Sequence, residues 1–400
     1  MLAFMRTPTA FAIAVGVFRE NKGRSWSLAA KIAATRHMLG RNWDIYTIRS
    51  LMGATTFQAY QKWALREKQE VVTDLLPEGA KLHWIGPRRD ASQDRVILYF
   101  HGDSGLSTFF IFFSHFLISR QTLFAGGAYS IPARPECFPF LSTLQKDVAA
   151  SFGDIGIALL QYCELSLSGA HRSTPRSCAV PLMNVLFILA LAPDSPFPTQ
   201  LKQANAALTY LLNKGIPPAN IIIGGDSAGG NLVLQLASHI LHPLPSIPAP
   251  PVLPQPLAGA VLISPWTGLD LGSPSYARNN RKDLITASSY AFLKNLVTEG
   301  LPPGQEHYMD VISAPPTWWQ GLDSIFARVL FTAGEHECPL DHILETSTVI
   351  SRHVRDTVTF VDPGAVHEEV ISKFGTTEGG SGKCYEMINT FLSRSFQGES

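Results

Sequence analysis

The sequence has no excess of charge of either sign, since 32 Lys and Arg residues face 32 Asp and Glu residues among 400. It has no run of basic residues and no acidic tail, which argues against nucleic acid or a strongly charged protein as its partner. Charged residues are only 16% of the chain, whereas hydrophobic residues are 46%. The chain can therefore bury a sizeable core, which excludes disorder as its overall state. The low charge also favours an apolar pocket, an apolar surface or a membrane-facing edge.

Cysteine is scarce as well. The five cysteines are widely spaced and contain no Cys-x-x-Cys pair: Cys137, Cys163, Cys178, Cys338 and Cys384. Their odd number and wide spacing argue against a disulfide scaffold and against a zinc site. Cys338 stands near a motif described below, and we interpret it as a small buried side chain.

The apolar run near the N-terminus is short. Residues 10–18 cannot span a bilayer as a helix, and no small-residue cleavage site of a signal peptide follows them. With Arg6 before the run and charged residues after it, a packed or interfacial helix is the preferred interpretation over a signal peptide. We expect a cytoplasmic or endoplasmic-reticulum-associated protein, with peripheral membrane contact through the N-terminus left open.

The pattern of predicted secondary structure changes near residue 66. Residues 1–66 read as mostly helical, and residues 67–400 alternate short β-rich runs with helical patterns. Strands are predicted at Val71–Leu76, Lys81–Ile85, Val96–Phe100, Ile155–Leu160, Ile221–Ile223, Leu257–Ile263, Ala327–Phe331 and Thr357–Val361. This rhythm predicts an α/β fold with a mostly parallel central sheet and helices on both faces. The N-terminal region and residues 270–320 are predicted to form a helical cap over a pocket.

The strongest functional signal is a Gly-x-Ser-x-Gly run at residues 225–229, centred on Ser227. A predicted buried strand precedes it and a predicted helix follows it, as a nucleophile elbow requires. Small residues must flank a serine in so tight a turn. The hydroxyl then stands at a helix N-terminus, where backbone N–H groups favour a developing oxyanion. A phosphate-binding glycine turn or a purely structural turn is the alternative, and the flanking elements favour the elbow.

A nucleophilic serine needs a general base and a carboxylate that orients it. His367 follows the last predicted strand at the head of a helix, which makes it the candidate base. His336 and His342 lack such a position and are predicted to be surface residues. The loop after the preceding strand supplies the candidate acids, which are Glu335, Glu337 and Asp341.

These motifs resemble the hormone-sensitive-lipase-like (alpha/beta hydrolase fold-3) branch of α/β hydrolases. The matching pieces are Tyr99-Phe-His-Gly102, the elbow at 224–231, Ile263-Ser-Pro-Trp266, the acidic loop and Val366-His367. The resemblance covers roughly residues 70–395 and is strongest to fungal steryl-acetate-hydrolase-like proteins and hydrolases of secondary-metabolite clusters. It implies the α/β-hydrolase fold, the chain order serine, acid, histidine, and Glu337 as the acid ahead of Glu335. It implies no metal or organic cofactor.

The oxyanion-hole motif departs from the family pattern. The family has His-Gly-Gly followed by Gly or Ala, whereas here Asp103 follows His101-Gly102, and a fitting continuation returns only at Gly126-Gly127. The resemblance implies N–H donors at four residues: Gly102, Gly126, Gly127 and Ala228. A second break separates Tyr162 from its family-like continuation.

Deleting residues 103–126 and 163–190 restores a family-like sequence at each junction. We hypothesise that both segments are insertions, either translated introns from a faulty gene model or two long loops that form a lid. If they are real loops, the oxyanion hole is in doubt and activity is low or absent.

The sequence thus predicts a serine hydrolase that cleaves a hydrophobic, medium-sized ester or lactone through an acyl-enzyme, with a role in fungal secondary metabolism. An acyltransferase or amidase with the same residues, and a catalytically impaired binding protein, are the alternatives. Trp318 and Trp319 either line the pocket or form the core of the cap. The natural substrate and the oligomeric state are left open.

Overall fold

A computed structural model gives the positions of residues 15, 25–39, 55–102, 133–162, 164–165, 188–189 and 195–397. Several sequence predictions lie outside these described residues. They include Gly126 and Gly127, the segment 103–126, and most of the N-terminal apolar run and of the segment 163–190.

The centre of the chain is an eight-stranded sheet. Its strands are β1 (Thr73–Leu75), β2 (Lys81–Ile85), β3 (Arg95–Phe100), β4 (Ile155–Gln161), β7 (Ile221–Asp226), β8 (Gly259–Ile263), β9 (Arg328–Gly334) and β10 (Asp356–Asp362). Across the sheet they lie in the order β1-β2-β4-β3-β7-β8-β9-β10. The pairs β1–β2 and β2–β4 are antiparallel, and the other pairs are parallel. The predicted fold class is confirmed, and each of the eight predicted strands is present.

Two further strands are very short. β5 (Glu164–Leu165) pairs antiparallel with β6 (Ile188–Leu189). This pairing brings the two ends of the segment 163–190 side by side, which is what an insertion into a loop requires.

Helices cover both faces of the sheet. They are α1 (Trp26–Leu39), α2 (Thr56–Glu67), α3 (Cys137–Phe152), α4 (Thr199–Asn213), α5 (Ala228–Leu241), α6 (Pro274–Asn279), α7 (Ala287–Thr298), α8 (Glu306–Met309), α9 (Leu340–Ile350), α10 (Glu369–Ser372) and α11 (Lys383–Gln397). Strand β3 is buried on both faces, so Leu98 packs into one core and Ile97 into the other. This two-sided burial explains why the central strands read as unbroken apolar runs.

The two N-terminal helices pack against this body. Helix α1 buries Leu28, Ala29 and Ile32 in the same core as helices α4 and α5. Helix α2 begins at a capping box formed by Thr55 and Gln58, a motif that satisfies otherwise unpaired N–H groups.

Trp318 and Trp319 belong to the segment 270–320 and pack into the core beneath it. The Trp318 indole N–H donates to Ser238 Oγ at 3.1 Å, and its ring lies 3.9 Å from that of His242. Ser238 lies about 16 Å beyond Ser227 along helix α5, at 1.5 Å per residue. Of the two interpretations left open by the sequence, core packing is the one that these contacts support.

His342 is buried, so its prediction as a surface residue is wrong. It lies in the first turn of α9, which faces the segment 270–320 rather than solvent. Its ring centroid is 5.7 Å from that of Tyr276. His336 is half-buried.

Candidate active site

Ser227 occupies the turn between β7 and α5 with φ +48° and ψ −116°. A non-glycine residue pays for a positive φ, and such strain persists only where the surroundings fix it. Here the Ser227 N–H donates to the Ile263 carbonyl, and the Trp266 N–H donates to the Ser227 carbonyl, each at 2.9 Å. A Cβ on Gly229 would lie 2.0 Å from the Phe100 carbonyl oxygen. The glycine flanking the serine is therefore required sterically.

The structure brings Ser227, His367 and Glu337 into one line. Ser227 Oγ lies 3.0 Å from His367 Nε2, and His367 Nδ1 lies 3.0 Å from Glu337 Oε2. All three side chains are buried. Because a carboxylate can only accept, the Nδ1–H donates to Glu337 and leaves Nε2 to face the serine hydroxyl. This is the geometry in which a serine can be deprotonated by a neighbouring imidazole.

The other two candidate acids point elsewhere. Glu335 is exposed and its carboxylate accepts the Gly364 N–H at 2.7 Å. Asp341 lies 3.0 Å from the Arg278 guanidinium. Of the three carboxylates that the sequence offered, Glu337 is the one that contacts His367.

Ser264 holds the second oxygen of Glu337. Its hydroxyl donates to Glu337 Oε1 at 2.5 Å, and the Gly334 N–H donates to the same oxygen. Ser264 also has a positive φ of +47°. Its motif was noted in the sequence, but its role was not foreseen, because nothing local indicates that a strained serine after β8 reaches the loop after β9.

Asp283 braces the acid and the histidine together. Its carboxylate accepts three backbone N–H groups, from Leu284 at 2.6 Å, Cys338 at 2.7 Å and His367 at 2.9 Å. Burial raises the pKa of Asp283 to about 6, against the opposing effect of His367. Cys338 itself is buried, as predicted. The brace was missed in the sequence because its partners are backbone groups far along the chain.

A second glutamate stands on the serine side of the imidazole. Glu368 Oε1 lies 3.6 Å from His367 Nε2, and Glu368 Oε2 lies 2.8 Å from the Arg134 guanidinium. Both side chains of this ion pair are fully buried. Glu368 directly follows His367, yet its approach to the site was not predicted from the sequence.

These carboxylates decide the charge of the imidazole. Burial alone would lower the pKa of His367, but Glu368, Glu337 and Asp283 outweigh it and raise that pKa to about 9. The physical cause is that opposite charges within a few ångströms favour the charged form. The surrounding carboxylates therefore favour the protonated form of His367.

The predicted oxyanion donors have different outcomes. The Gly102 N–H donates to Asp226 Oδ2 at 3.1 Å, whereas the resemblance had assigned it to the oxyanion hole. A Cβ on Gly102 would lie 1.9 Å from the Asp226 carbonyl oxygen and 2.7 Å from the Ala228 nitrogen. Gly102 therefore lies in close contact with the elbow, and its role as an oxyanion donor stays a prediction. Ala228 opens helix α5 directly after the serine, and Gly126 and Gly127 are among the residues not described.

Asp226 is tied down from both sides. Besides the Gly102 N–H, its carboxylate accepts the Tyr99 hydroxyl at 2.6 Å. These bonds fix the end of β3 against the elbow.

Within the described ranges, no helix is both long enough and apolar enough to cross a membrane.

Comparison with known proteins identifies the family of the fold. The model of an alpha/beta hydrolase fold family matches residues 169–370, which is half of the chain. An esterase of Acinetobacter venetianus is 32% identical over 133 residues, which cover 32% of this chain and 41% of the relative. An acetyl-hydrolase of Streptomyces hygroscopicus is 34% identical over 96 residues, covering 23% of this chain and 28% of the relative. The chain thus spans less than half the length of these curated relatives.

Solved structures share the fold. An esterase of the bacterial hormone-sensitive lipase family superposes with a TM-score of 0.56 at 20% identity, covering 98% of this chain and 99% of the other. Carboxyl esterase 2 of the mycorrhizal fungus Tuber melanosporum gives a TM-score of 0.55 at 18% identity over 82% of this chain and 88% of the other. With its sheet, its elbow and the matched family model, the chain belongs to the alpha/beta hydrolase fold family, in the hormone-sensitive-lipase-like branch that its motifs indicated.

Proposed function

We propose that this protein hydrolyses a hydrophobic carboxylic ester or lactone, with Ser227 as nucleophile, His367 as general base and acid, and Glu337 as the orienting carboxylate. The observation that carries the proposal is the unbroken contact from Ser227 Oγ to Nε2 and from Nδ1 to Glu337, each at 3.0 Å, at a strained elbow. The family's esterases and acetyl-hydrolases support the same reaction class.

In the proposed reaction the Ser227 oxygen attacks the carbonyl carbon while its proton passes to His367 Nε2. Glu337 stays ionised and stabilises the imidazolium that forms. The tetrahedral oxyanion accepts the Ala228 N–H at the positive end of helix α5. Collapse breaks the ester bond, and the leaving alcohol takes the proton from Nε2. Water then attacks the acyl-enzyme and gives a proton to His367 Nε2. The second tetrahedral intermediate collapses, the Ser227 oxygen takes that proton back, and the acid is released.

The remaining oxyanion donors are proposed at Gly102 and at Gly126 or Gly127. The Ala228 N–H alone supplies one donor, and removal of a single donor in such sites costs about 10²–10³ in kcat. A mature transcript without the segments 103–126 and 163–190 would join His101-Gly102 to Gly127 and complete the motif. A spliced message that encodes residues 109–116 in frame would instead make these segments real loops.

A cap formed by residues 1–66 and 270–320 is proposed to close the site. Tyr290 of α7 lies with its ring 6.0 Å from that of His367, edge to face, and its ring is 5.7 Å from that of Trp266. An aromatic wall beside the base supports an apolar acyl or alcohol group. A place in fungal secondary metabolism rests only on the sequence resemblance.

The test compares wild type with Ser227→Ala on p-nitrophenyl acetate and butyrate. We expect turnover by wild type and loss in the variant, with butyrate preferred because the proposed pocket is apolar. Equal rates for both proteins would remove the serine mechanism. Turnover that increases with added alcohol would instead indicate acyl transfer.

A further inference from the structure

We propose that Glu368 is a positioning residue for His367. Its carboxylate, held by Arg134, acts on the imidazole from the Nε2 side, opposite Glu337, and we call this second carboxylate the arm. The inference rests on the proposed function in one respect, since His367 is taken as the base. Neither the sequence motifs nor the family comparison assigns a role to Glu368 or Arg134.

The position of Glu368 is fixed by its backbone and by its carboxylate. Its backbone is left-handed with φ +51°, and its N–H donates to Ser264 Oγ at 3.2 Å. The same Ser264 hydroxyl donates to Glu337. One side chain therefore sets the spacing between the two carboxylates that flank His367.

Arg134 holds the outer end of the arm. Its guanidinium lies 2.8 Å from Glu368 Oε2 and donates to Ser372 Oγ at 3.1 Å. Lys31 of helix α1 donates to the Ser372 carbonyl at 3.1 Å and to Glu136. The arm is thus anchored through a buried network that extends to the N-terminal helix.

A buried ion pair is a costly way to fill space. Desolvation of both charges offsets their attraction, and apolar residues of the same volume are often as stable or more stable. A left-handed backbone at a glutamate adds a further cost. Since packing alone would not favour this arrangement, the second carboxylate is best explained by its 3.6 Å distance from Nε2.

The arm acts where the proton arrives. During acylation the serine proton moves to Nε2, and Glu368 Oε1 then faces a positive imidazolium. The positive charge of Arg134 partly neutralises the Glu368 carboxylate. The proton therefore stays on the imidazole and is available to the leaving alcohol. The other groups facing the ring are Glu337 at Nδ1, Asp283 at the backbone N–H, and the Tyr290 ring.

The test measures the titration of His367 by side-chain ¹⁵N NMR in the full chain, with the resonances assigned by comparison with His367→Gln. We expect Glu368→Gln to lower the titration midpoint by about 1 pH unit or more, since a facing charge at this distance shifts a pKa by about 1–3 units. Glu369→Gln is the matched control, because that carboxylate is also buried but binds the Val366 N–H and Lys373 instead. Its midpoint should equal that of wild type.

The opposite charge gives an opposite shift. Arg134→Gln removes the positive partner and should raise the midpoint, a response that structural damage would not produce. The double variant Glu368→Gln with Arg134→Gln removes both members of the ion pair together, so it keeps the test usable if Glu368→Gln fails to fold. Its midpoint should lie below that of Arg134→Gln. An unchanged midpoint in folded Glu368→Gln, or an equal shift in Glu369→Gln, would overturn the assignment.

Ester hydrolysis separates the two proposals. In Glu368→Gln the rise of kcat/KM with pH should move to lower pH together with the NMR midpoint. If wild type hydrolyses no ester while the midpoint still shifts, the proposed function fails and the action of Glu368 on His367 stands. If wild type is active and neither quantity moves, the inference about Glu368 fails alone.

Discussion

Replacing Asp283 by Asn removes one charge and one acceptor from the brace between the acid loop and the histidine loop. The amide oxygen can still accept two of the three N–H groups, but the amide NH₂ then faces the Cys338 N–H. One unsatisfied buried donor costs about 1–3 kcal/mol. Asp283→Leu would orphan all three, at about 3–9 kcal/mol, which approaches the whole stability of about 5–15 kcal/mol of a typical domain. We therefore expect Asp283→Asn to fold and Asp283→Leu to fail.

The loss should show in catalysis as well as in stability. The brace fixes Glu337 and His367 relative to each other, and a misplacement of about 1 Å can cost roughly 10²-fold in rate. The measurement is urea unfolding together with kcat and KM on p-nitrophenyl butyrate, where kcat should fall and KM should change little. The control is Asp270→Asn, an exposed carboxylate in the same segment that binds only the nearby Gly272 N–H among its described contacts. If Asp283→Asn matches this control in both stability and kcat, the brace has no such role.

Three further predictions concern the site. The carboxylates around His367 raise its pKa to about 9, and a general base must be unprotonated. We therefore expect kcat/KM to rise with pH through about 9. A plateau of kcat/KM already at pH 7 would contradict this expectation. Glu337→Gln should lower kcat by about 10⁴, whereas Glu335→Gln should keep nearly full activity, and equal losses in a p-nitrophenyl butyrate assay would contradict the assignment of the acid. Gly102→Ala should abolish activity or folding, since its Cβ would lie 1.9 Å from a backbone oxygen of the elbow. In the control Gly272→Ala, the new Cβ would meet only a side chain, at 3.2 Å. This control should match wild type in its circular dichroism spectrum and in its activity.

The sequence could point to Ser227 and His367 as candidate site residues because their signals are local. A strand, a tight glycine turn and a helix lie within a few residues of Ser227, and chain order then selects the histidine after the last strand. The choice of Glu337 over Glu335 was not decided by the residues alone, because the two stand two positions apart in one turn. Only the direction of each side chain separates them, and this depends on the Ser264 hydroxyl, which comes from a different strand end.

Long-range contacts account for what the sequence could not predict. Arg134 and Glu368 are 234 residues apart, and their attraction is visible only once the residues just before α3 and α10 meet in the fold. Asp283 binds backbone N–H groups, which every residue but proline carries. No residue pattern could therefore predict its role. His342 was misjudged for the same reason, since its exposure depends on a segment that packs over it from elsewhere in the chain.

The clustering of carboxylates around one imidazole has a consequence for the reaction coordinate. A raised pKa favours the protonated form of His367, which cannot accept the serine proton. The same carboxylates stabilise the imidazolium in the tetrahedral intermediate, where it must coexist with the oxyanion. The two effects oppose each other, and a general base works best when its pKa lies near the working pH. For the proposed site, with Glu337, Asp283 and Glu368 around His367, we therefore expect an optimum above neutral pH, and the Arg134 guanidinium, 2.8 Å from Glu368 Oε2, opposes that shift.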